Sequence, residues 1–282
     1  MADPVASTRG VAGRVGVGLH RVIAVDRIAV ISDIHGNLPA LDATLRDIGR
    51  RGIERIVCLG DLVGKGPHGD VVVDVCRTVC ETVVRGNWDD ALATTTTTNP
   101  TLQWHQSRLG EVRLAYLRSL PNVVDLTMSG RHVRLFHASP KSVHVRVRRS
   151  DPDETLATMF DNTAFTGEGA VPDVVGYGDI HEAFVRNLPC RTLFNVGSVG
   201  NPLDTPQASY AILEGRCDDP SAGVFDIVLV RVPYDIARAI QDAVAAGMPS
   251  VEPYARELRT AHYRGPAEFA PEREALRRPH GV

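Results

Sequence analysis

The sequence predicts an α/β protein with one domain from about residue 26 to residue 263. Apolar strand-like runs alternate with helical patterns early in this range, and short strands dominate later. Acidic, amide and imidazole side chains follow several of these strands. Residues 1–25 form a predicted loose leader, and residues 264–282 form a predicted frayed tail.

The sequence pattern in the first part of the domain predicts a parallel sheet with crossover helices. The run Arg27–Ile34 is almost continuously apolar and β-branched, as in a strand that is buried on both faces. Leu38–Arg50 repeats apolar residues with a helical period, and Pro39 suits the first turn of a helix. The segments that follow are a strand, a helix and a strand, at Arg55–Leu59, Asp70–Arg77 and Thr82–Arg85.

The rest of the domain is richer in strands than in helices. Val123–Met128 and His132–His137 flank a Ser-Gly-Arg turn and predict a β-hairpin. Further strands are predicted at Val174–Tyr177, Ala183–Asn187, Thr192–Val196, Ala208–Leu213 and Phe225–Val232. Helices are predicted at His105–Leu120, Asp151–Phe160, Tyr234–Ala245 and Glu252–His262, with a threonine-rich loop at Thr94–Thr98.

The composition excludes several classes of protein. An apolar fraction of 43% over 282 residues excludes a mainly disordered chain. The formal net charge of −3 gives no basic field, so we expect no strong nucleic-acid binding. No apolar run reaches the roughly 20 residues that a membrane span needs, and no secretory signal is evident. The five cysteines form no CxxC pair, so we expect a cytoplasmic protein with reduced thiols and no membrane partner. The oligomeric state stays open.

Five loops that follow predicted strands carry side chains able to ligate a metal. They are DIHGN at 33–37, GDLVGKGP at 60–67, RGNWDD at 85–90, HASP at 137–140 and GYGDIH at 176–181. Ligands of open α/β sheets bind beyond the carboxyl ends of strands, so these loops can converge. Asp33 and His35, two residues apart at a strand end, are expected to point to the same side. The mixed donors suit a hard or borderline divalent metal, and their number points to two ions that share a carboxylate.

In this order the motifs resemble those of the calcineurin-like metallophosphoesterases, most closely a small bacterial branch of predicted phosphodiesterases. The resemblance runs from about Arg27 to Arg231, and NVGSVGNPLD at 195–204 is also typical of that branch. It implies a four-layer fold, a β-sandwich flanked by helices on both outer faces. It also implies hydrolysis of a phosphodiester by in-line attack of a hydroxide that bridges two divalent ions. The alternatives are a phosphomonoesterase or Ser/Thr protein phosphatase of the same fold, and a non-catalytic scaffold.

The resemblance also implies a role for each matching residue. It assigns Asp33, His35 and His181 to the first ion, Asp61 to both ions, and Asn87, His137 and Asp179 to the second. The catalytic candidates are Asp61, Asn87, Lys65 and His68. We expect Mn²⁺, with Fe, Zn, Ni or Mg as alternatives, and a small or nucleotide-like phosphodiester as substrate.

Asp179 departs from the family pattern, in which this position is usually histidine. The carboxylate lowers the positive charge of the site by one, which predicts weaker attraction for a phosphate dianion and a preference for Mn²⁺ or Mg²⁺ over Zn²⁺. In the alternative interpretation, Asp179 turns away and the second metal site is weak or empty.

A second departure concerns the supply of protons to the leaving group. Gly64, Lys65 and Trp88 stand where protein phosphatases of this fold have aspartate, arginine and histidine, so their acid pair is missing. General acid catalysis contributes about 10²–10⁴-fold, so its absence favours diesters or good leaving groups. Lys65 is a candidate phosphate contact and His68 a candidate proton donor. Trp88 either stacks on a base or forms a packed lid over the metals.

Five further basic or polar positions receive mainly structural interpretations. Arg85 is expected to form a structural ion pair, and Asn201 is expected to be a turn residue. Arg146, Arg148 and Arg149 are expected to form a solvated strand edge, or alternatively to attract a phosphorylated substrate.

Overall fold

The computed structural model describes residues 25–263 and contains two five-stranded β-sheets that pack face to face. The strands are β1 (Asp26–Ile31), β2 (Arg55–Cys58), β3 (Thr82–Val83), β4 (Val123–Met128), β5 (Arg131–Phe136), β6 (Val174–Tyr177), β7 (Phe184–Leu188), β8 (Arg191–Asn195), β9 (Ala208–Gly215) and β10 (Asp226–Val232). The helices are α1 (Leu38–Arg50), α2 (Gly69–Val79), α3 (Asn87–Thr94), α4 (Pro100–Ser119), α5 (Asp153–Ala157), α6 (Ile236–Ala245) and α7 (Val251–Thr260). Among the residues described, no helix has the length and apolar character to span a bilayer.

The first sheet has the strand order β10-β9-β1-β2-β3, in which β1, β2 and β3 run parallel. Alternate residues of β1 face opposite ways because side chains along a strand have a period of two. Ile28 and Val30 pack between the sheets, whereas Ala29 and Ile31 pack against the helices on the outer face. This double burial confirms the prediction made from the β-branched run.

The second sheet has the strand order β4-β5-β6-β8-β7 and includes the predicted hairpin of β4 and β5. Its outer face is covered by α5 and a 3₁₀ turn at Thr158–Phe160, where Met159 and Phe160 pack on Phe136. Helices therefore cover both outer faces of a β-sandwich. The predicted α/β sandwich fold is confirmed.

Local differences from the sequence predictions have clear causes. Helix α4 begins at Pro100, earlier than expected, because the Asn99 side chain caps it by accepting from the N–H groups of Thr101 and Leu102. Helix α3 was not predicted. The expected strand edge at 145–149 is wrong, because this basic stretch is a loop between β5 and α5.

The domain boundaries stay a prediction. The predicted leader and tail lie outside the described residues, apart from Val25. Helices α6 and α7 pack together and also contact Trp104 of α4 and Tyr234, which is consistent with one domain that extends to residue 263.

The carboxyl ends of the parallel strands of both sheets meet at one edge of the sandwich. The amide of Asp33, after β1, donates to the carbonyl of Gly60, after β2, at 2.9 Å. In the second sheet, the amide of Gly178 donates to the carbonyl of His137 at 2.8 Å. A bond of 2.9 Å from the amide of Gly200 to the carbonyl of Asp33 joins the first loop to the 195–204 segment. The five predicted loops therefore converge.

Candidate metal centre

Two groups of buried side chains offer metal-ligating atoms at this edge. The donor atoms of Asp33, His35 and His181 all lie within 4.8 Å of one another, and so do those of Asp33, Asp61 and His137. The Asp61 carboxylate lies between the groups, with Oδ2 3.5 Å from Nε2 of His35 and Oδ1 3.6 Å from Nε2 of His137. This is the arrangement expected of a bridging carboxylate.

The other two predicted ligands stand beside His137. Oδ1 of Asn87, the first residue of α3, lies 3.0 Å from Nε2 of His137. Oδ1 of Asp179 lies 4.0 Å from the same nitrogen. The structure therefore brings all seven predicted ligands to one place, which is an arrangement consistent with the predicted roles.

The backbone fixes the orientation of all three histidine rings. Nδ1 of His35 lies 3.1 Å from the carbonyl of Val63, and Nδ1 of His137 lies 2.8 Å from the carbonyl of Leu59. Nδ1 of His181 lies 2.5 Å from the carbonyl of Asn201. Because a carbonyl oxygen only accepts, Nδ1 carries the proton in each ring. Nε2 of each ring therefore faces the site and is the atom available to a metal ion, as in metal-ligating histidines.

The converging acceptor atoms have chemistry that suits a cation. Nε2 of His35 and Nε2 of His181 lie 3.1 Å apart, and Nε2 of His181 is also 3.1 Å from Oδ1 of Asp33. That carboxylate oxygen is buried and has no hydrogen-bond partner among the described residues. Three lone pairs that face one another repel unless a positive charge lies among them. The residues present therefore fit a divalent metal ion.

Left-handed backbone geometry positions several of these side chains. Strand β1 ends at Ile31, so Asp33 and His35 are not in the strand, and their φ angles are 56° and 49°. The expectation that strand alternation aligns them is wrong, although both do reach the same site. Of the eleven described non-glycine residues with positive φ, six are Asp33, His35, Asp61, Lys65, Asp179 and His181. Such strain costs about 1–3 kcal/mol per residue and clusters at functional sites.

Asp89 supports the Asp61 loop, a role that the sequence did not reveal. Its Oδ2 accepts from the amides of Asp61 at 2.8 Å and Gly86 at 3.0 Å, and its Oδ1 accepts from Leu62 at 2.9 Å. The side chain is completely buried. An acidic residue three positions after Gly86, at the start of a helix, was the available signal. It was missed because α3 was not predicted.

The electrostatics of the site couple the acids to the histidines. Burial raises the pKa of Asp61 far above its ordinary value, and the charges of Asp33 and Asp89 add to this effect although His137 opposes it. Burial opposes the charged form of His137, but Asp61, Asp33 and Asp179 raise its pKa to about 9. Shifts of this kind are characteristic of functional sites.

Asp179 faces the site and is also held by an arginine. Nε of Arg146 donates to Oδ2 of Asp179 at 2.8 Å, and Nη2 donates to Oδ1 at 2.6 Å. Burial opposes ionisation of Asp179, but the Arg146 guanidinium outweighs it and lowers the pKa of the carboxyl. Arg146 therefore contacts a predicted ligand from a loop and does not lie on a strand edge. Its side chain is partly exposed, and Arg148 and Arg149 are exposed as well.

Lys65 lies at the site and is connected to α7. Its Nζ donates to Oδ1 of Asn201 at 2.6 Å, and Nδ2 of Asn201 donates to the buried Glu257 at 3.1 Å. Burial lowers the pKa of His35 well below its ordinary value, and the charge of Lys65 lowers it further. Asn201 is thus more than a turn residue, since it holds both Lys65 and the ring of His181.

Trp88 and His68 differ in their relation to the site. Trp88 is only 5% exposed, and its ring packs on Gly64 and edge-on against His35, so it is a packed residue and not an open stacking platform. His68 turns towards α6, where Nε2 lies 3.2 Å from Asp242. Within residues 25–263, no hydrogen bond joins that ring to a predicted metal ligand. Arg85 pairs with Asp90 at 3.4 Å, as expected of a structural residue.

Comparison with known proteins gives the family. The sequence model of the calcineurin-like phosphoesterase superfamily domain matches residues 27–217. This protein belongs to that superfamily. The uncharacterized protein MJ0912 of Methanocaldococcus jannaschii is 33% identical over 237 residues, which cover 79% of this chain and 93% of the relative.

Two crystal structures share the fold over most of their length. A metallophosphoesterase from Sphaerobacter thermophilus has a TM-score of 0.67 and 28% identity, and the match covers 84% of this chain and 99% of that one. The hypothetical protein PH1004 from Pyrococcus horikoshii has a TM-score of 0.65 and 17% identity, with 85% and 98% covered, which shows likeness of fold alone.

Proposed function

We propose that this protein is a phosphodiesterase that uses two divalent metal ions, with Mn²⁺ preferred. Asp33, His35 and His181 would hold one ion, Asn87, His137 and Asp179 would hold the other, and Asp61 would be shared by both. The observation that carries the proposal is the convergence of buried carboxylate and imidazole groups. Oδ1 of Asp33 has no hydrogen-bond partner among the described residues, and Nε2 of His35 and Nε2 of His181 face each other at 3.1 Å. Divalent ions bound there would polarise the phosphoryl group and make water a nucleophile at neutral pH.

The side chains of this protein have separate tasks in the proposed reaction. Asp61 keeps its orientation because Oδ1 accepts from the amide of Trp88 at 2.8 Å, while Asp89 binds the backbone of the Asp61 loop. Lys65 supplies a point charge for a phosphoryl oxygen, and Asn201 limits the range of positions that its ammonium group reaches. We keep Asn87 as a candidate contact to the reacting phosphate. His68 stays a candidate proton donor that would first have to leave Asp242.

The preference for a diester rests on Gly64 and Trp88, which stand where phosphatases of this fold have the aspartate and histidine of their acid pair. Trp88 stands where phosphatases of this fold have a histidine, and its buried indole packs over Gly64. A monoester with a poor leaving group needs proton transfer, which contributes about 10²–10⁴-fold. A diester with a good leaving group needs it less.

The experiment that tests this proposal compares two chromogenic substrates in the presence of Mn²⁺. We expect bis-p-nitrophenyl phosphate to give a higher kcat/KM than p-nitrophenyl phosphate, and the Asp33→Asn variant to lose both activities. A clear preference for the monoester would favour the phosphomonoesterase alternative. No hydrolysis of either ester by folded protein at saturating Mn²⁺ would favour the scaffold.

The proposal includes a cytoplasmic location and a small or nucleotide-like phosphodiester as substrate. The five cysteines are all free thiols, which suits a reducing compartment. The exposed Cys190 is the most informative of them, because a secreted protein would risk oxidation there.

A further inference from the structure

The Asp179–Arg146 pair occupies the position where this family usually has a histidine. A neutral histidine adds no charge, whereas an aspartate adds one negative charge. The guanidinium of Arg146 returns one positive charge through a two-bond contact to the same carboxylate. The pair together therefore has the net charge of the histidine that it replaces.

The geometry leaves Asp179 able to bind an ion while it is held by Arg146. An ionised carboxylate accepts about four hydrogen bonds, and Arg146 uses one on each oxygen. The amide of Asp179 donates to Oδ2 of Asp33 at 3.1 Å, which fixes its backbone beside the first group of ligands. Oδ1 of Asp179 also faces Nε2 of His137 at 4.0 Å. The carboxylate therefore points towards the site and not away from it.

Arg146 comes to Asp179 from outside the site. The Asp179 side chain is 4% exposed and that of Arg146 is 36% exposed, so the arginine covers the carboxylate from the solvent side. A third contact, from Nη2 to the backbone carbonyl of Asp179 at 3.3 Å, ties the guanidinium to the loop as well as to the side chain. A planar fork of this kind fixes the rotation of a carboxylate, which a single point charge does not.

We propose that Arg146 is a positioning residue that holds Asp179 as a ligand of the second metal ion and replaces, together with Asp179, the family histidine. This inference rests on the proposed two-metal function. Outer partners of metal ligands orient the ligand, and their loss typically weakens metal binding by about 10–100-fold. Arg146 acts mainly on the second ion, because its hydrogen bonds are to Asp179, although its charge also interacts with Asp33 of the first group.

Calorimetric titration of the whole, metal-depleted protein with Mn²⁺ tests the proposal. We expect two ions per wild-type chain, and about 10–100-fold weaker binding of one of them in Arg146→Gln, with a much smaller change for the other. Arg148→Gln is the matched control, because Arg148 is an exposed arginine of the same loop and the change in charge is equal. Its two affinities should equal those of the wild type.

A second set of variants separates positioning from charge and from misfolding. In an Asp179→His background the fork has no carboxylate to hold, so Arg146→Gln should no longer weaken Mn²⁺ binding. Arg146→Lys keeps the charge but not the fork, and should stay weaker than the wild type. An equal loss in both backgrounds, or wild-type affinity in Arg146→Gln or Arg146→Lys, would overturn the proposal. Wild-type protein that binds no Mn²⁺ would overturn the two-metal function itself.

Discussion

Asp61→Asn should be more stable than the wild type when no metal is present and less stable than the wild type when Mn²⁺ is bound. Without metal, Asp61 is a buried acid beside the negative charges of Asp33 and Asp89, and its pKa is raised far above the ordinary value by burial and by these charges. A raised pKa means that the folded state disfavours the ionised form. An uncharged isostere should therefore stabilise the metal-free fold.

The contacts of Asp61 give the size of the effect. Asparagine keeps an oxygen for the amide of Trp88, and its Nδ2 would face Nε2 of His35, now 3.5 Å from Oδ2 of Asp61. Since that ring nitrogen is an acceptor, a hydrogen bond of about 1 kcal/mol can form. The substitution also removes the cost of the buried charge, which is about 1.4 kcal/mol for each unit by which folding raises the pKa of Asp61. We expect the free energy of unfolding of metal-free Asp61→Asn to exceed that of the wild type by about 1–3 kcal/mol. For domains of roughly 150–250 residues, each kcal/mol raises Tm by about 2–4 °C.

Thermal unfolding in EDTA and in Mn²⁺ measures both halves of this prediction. In EDTA, Asp61→Asn should melt above the wild type, and the difference should be small near pH 4 and grow as the pH rises, because the folded pKa lies above 3.8. In Mn²⁺ at about 100 times Kd, the wild type should gain about 2.7 kcal/mol and the variant much less. Asp161→Asn, an exposed control, should follow the wild type in both solutions. A variant that melts below the wild type in EDTA would refute the reasoning.

Two further substitutions test the site at other atoms. Lys65→Gln should raise KM about tenfold with a smaller change in kcat, because one charged phosphate contact corresponds to about 1.4 kcal/mol, whereas Lys141→Gln should change neither constant in steady-state assays. An unchanged KM in Lys65→Gln would show that Lys65 does not contact the phosphate of the substrate. Gly86→Ala should weaken Mn²⁺ binding at least tenfold in calorimetry, because a Cβ there would lie 2.1 Å from Oδ1 of Asp61. Gly49→Ala, where a Cβ meets nothing within 4 Å, should bind as the wild type does.

The sandwich and the convergence of the loops could be predicted because their signals are local. The β-branched run before Asp33 indicates a strand buried on both faces, and the structure places it in the centre of one sheet. The convergence of the motif residues then follows from the rule that the carboxyl ends of parallel strands lie at one edge of a sheet. Helix α3 could not be predicted in this way. It has only eight residues, which is too short for its own helical propensity to stabilise it, so the tertiary contacts of Trp88 and Asp89 decide its conformation.

The supporting contacts could not be predicted because they join distant parts of the chain. Asp179 and Arg146 are 33 residues apart, and Lys65 and Asn201 are 136 residues apart. Nothing in the basic stretch 145–149 distinguishes the arginine that turns inward from its two neighbours. The contact with Asp179, which lies on a distant loop, distinguishes Arg146 from the other two.

The Arg146–Asp179 pair changes the physical basis for the expected preference among metals. An isolated aspartate in place of histidine would lower the positive charge of the site and weaken the attraction for a phosphate anion. Because Arg146 restores that charge, the attraction at long range should match that of a site with histidine. What remains different is the donor atom, a hard oxygen in place of an imidazole nitrogen. A preference for Mn²⁺ or Mg²⁺ over Zn²⁺ therefore has to arise from the chemistry of this oxygen and not from net charge.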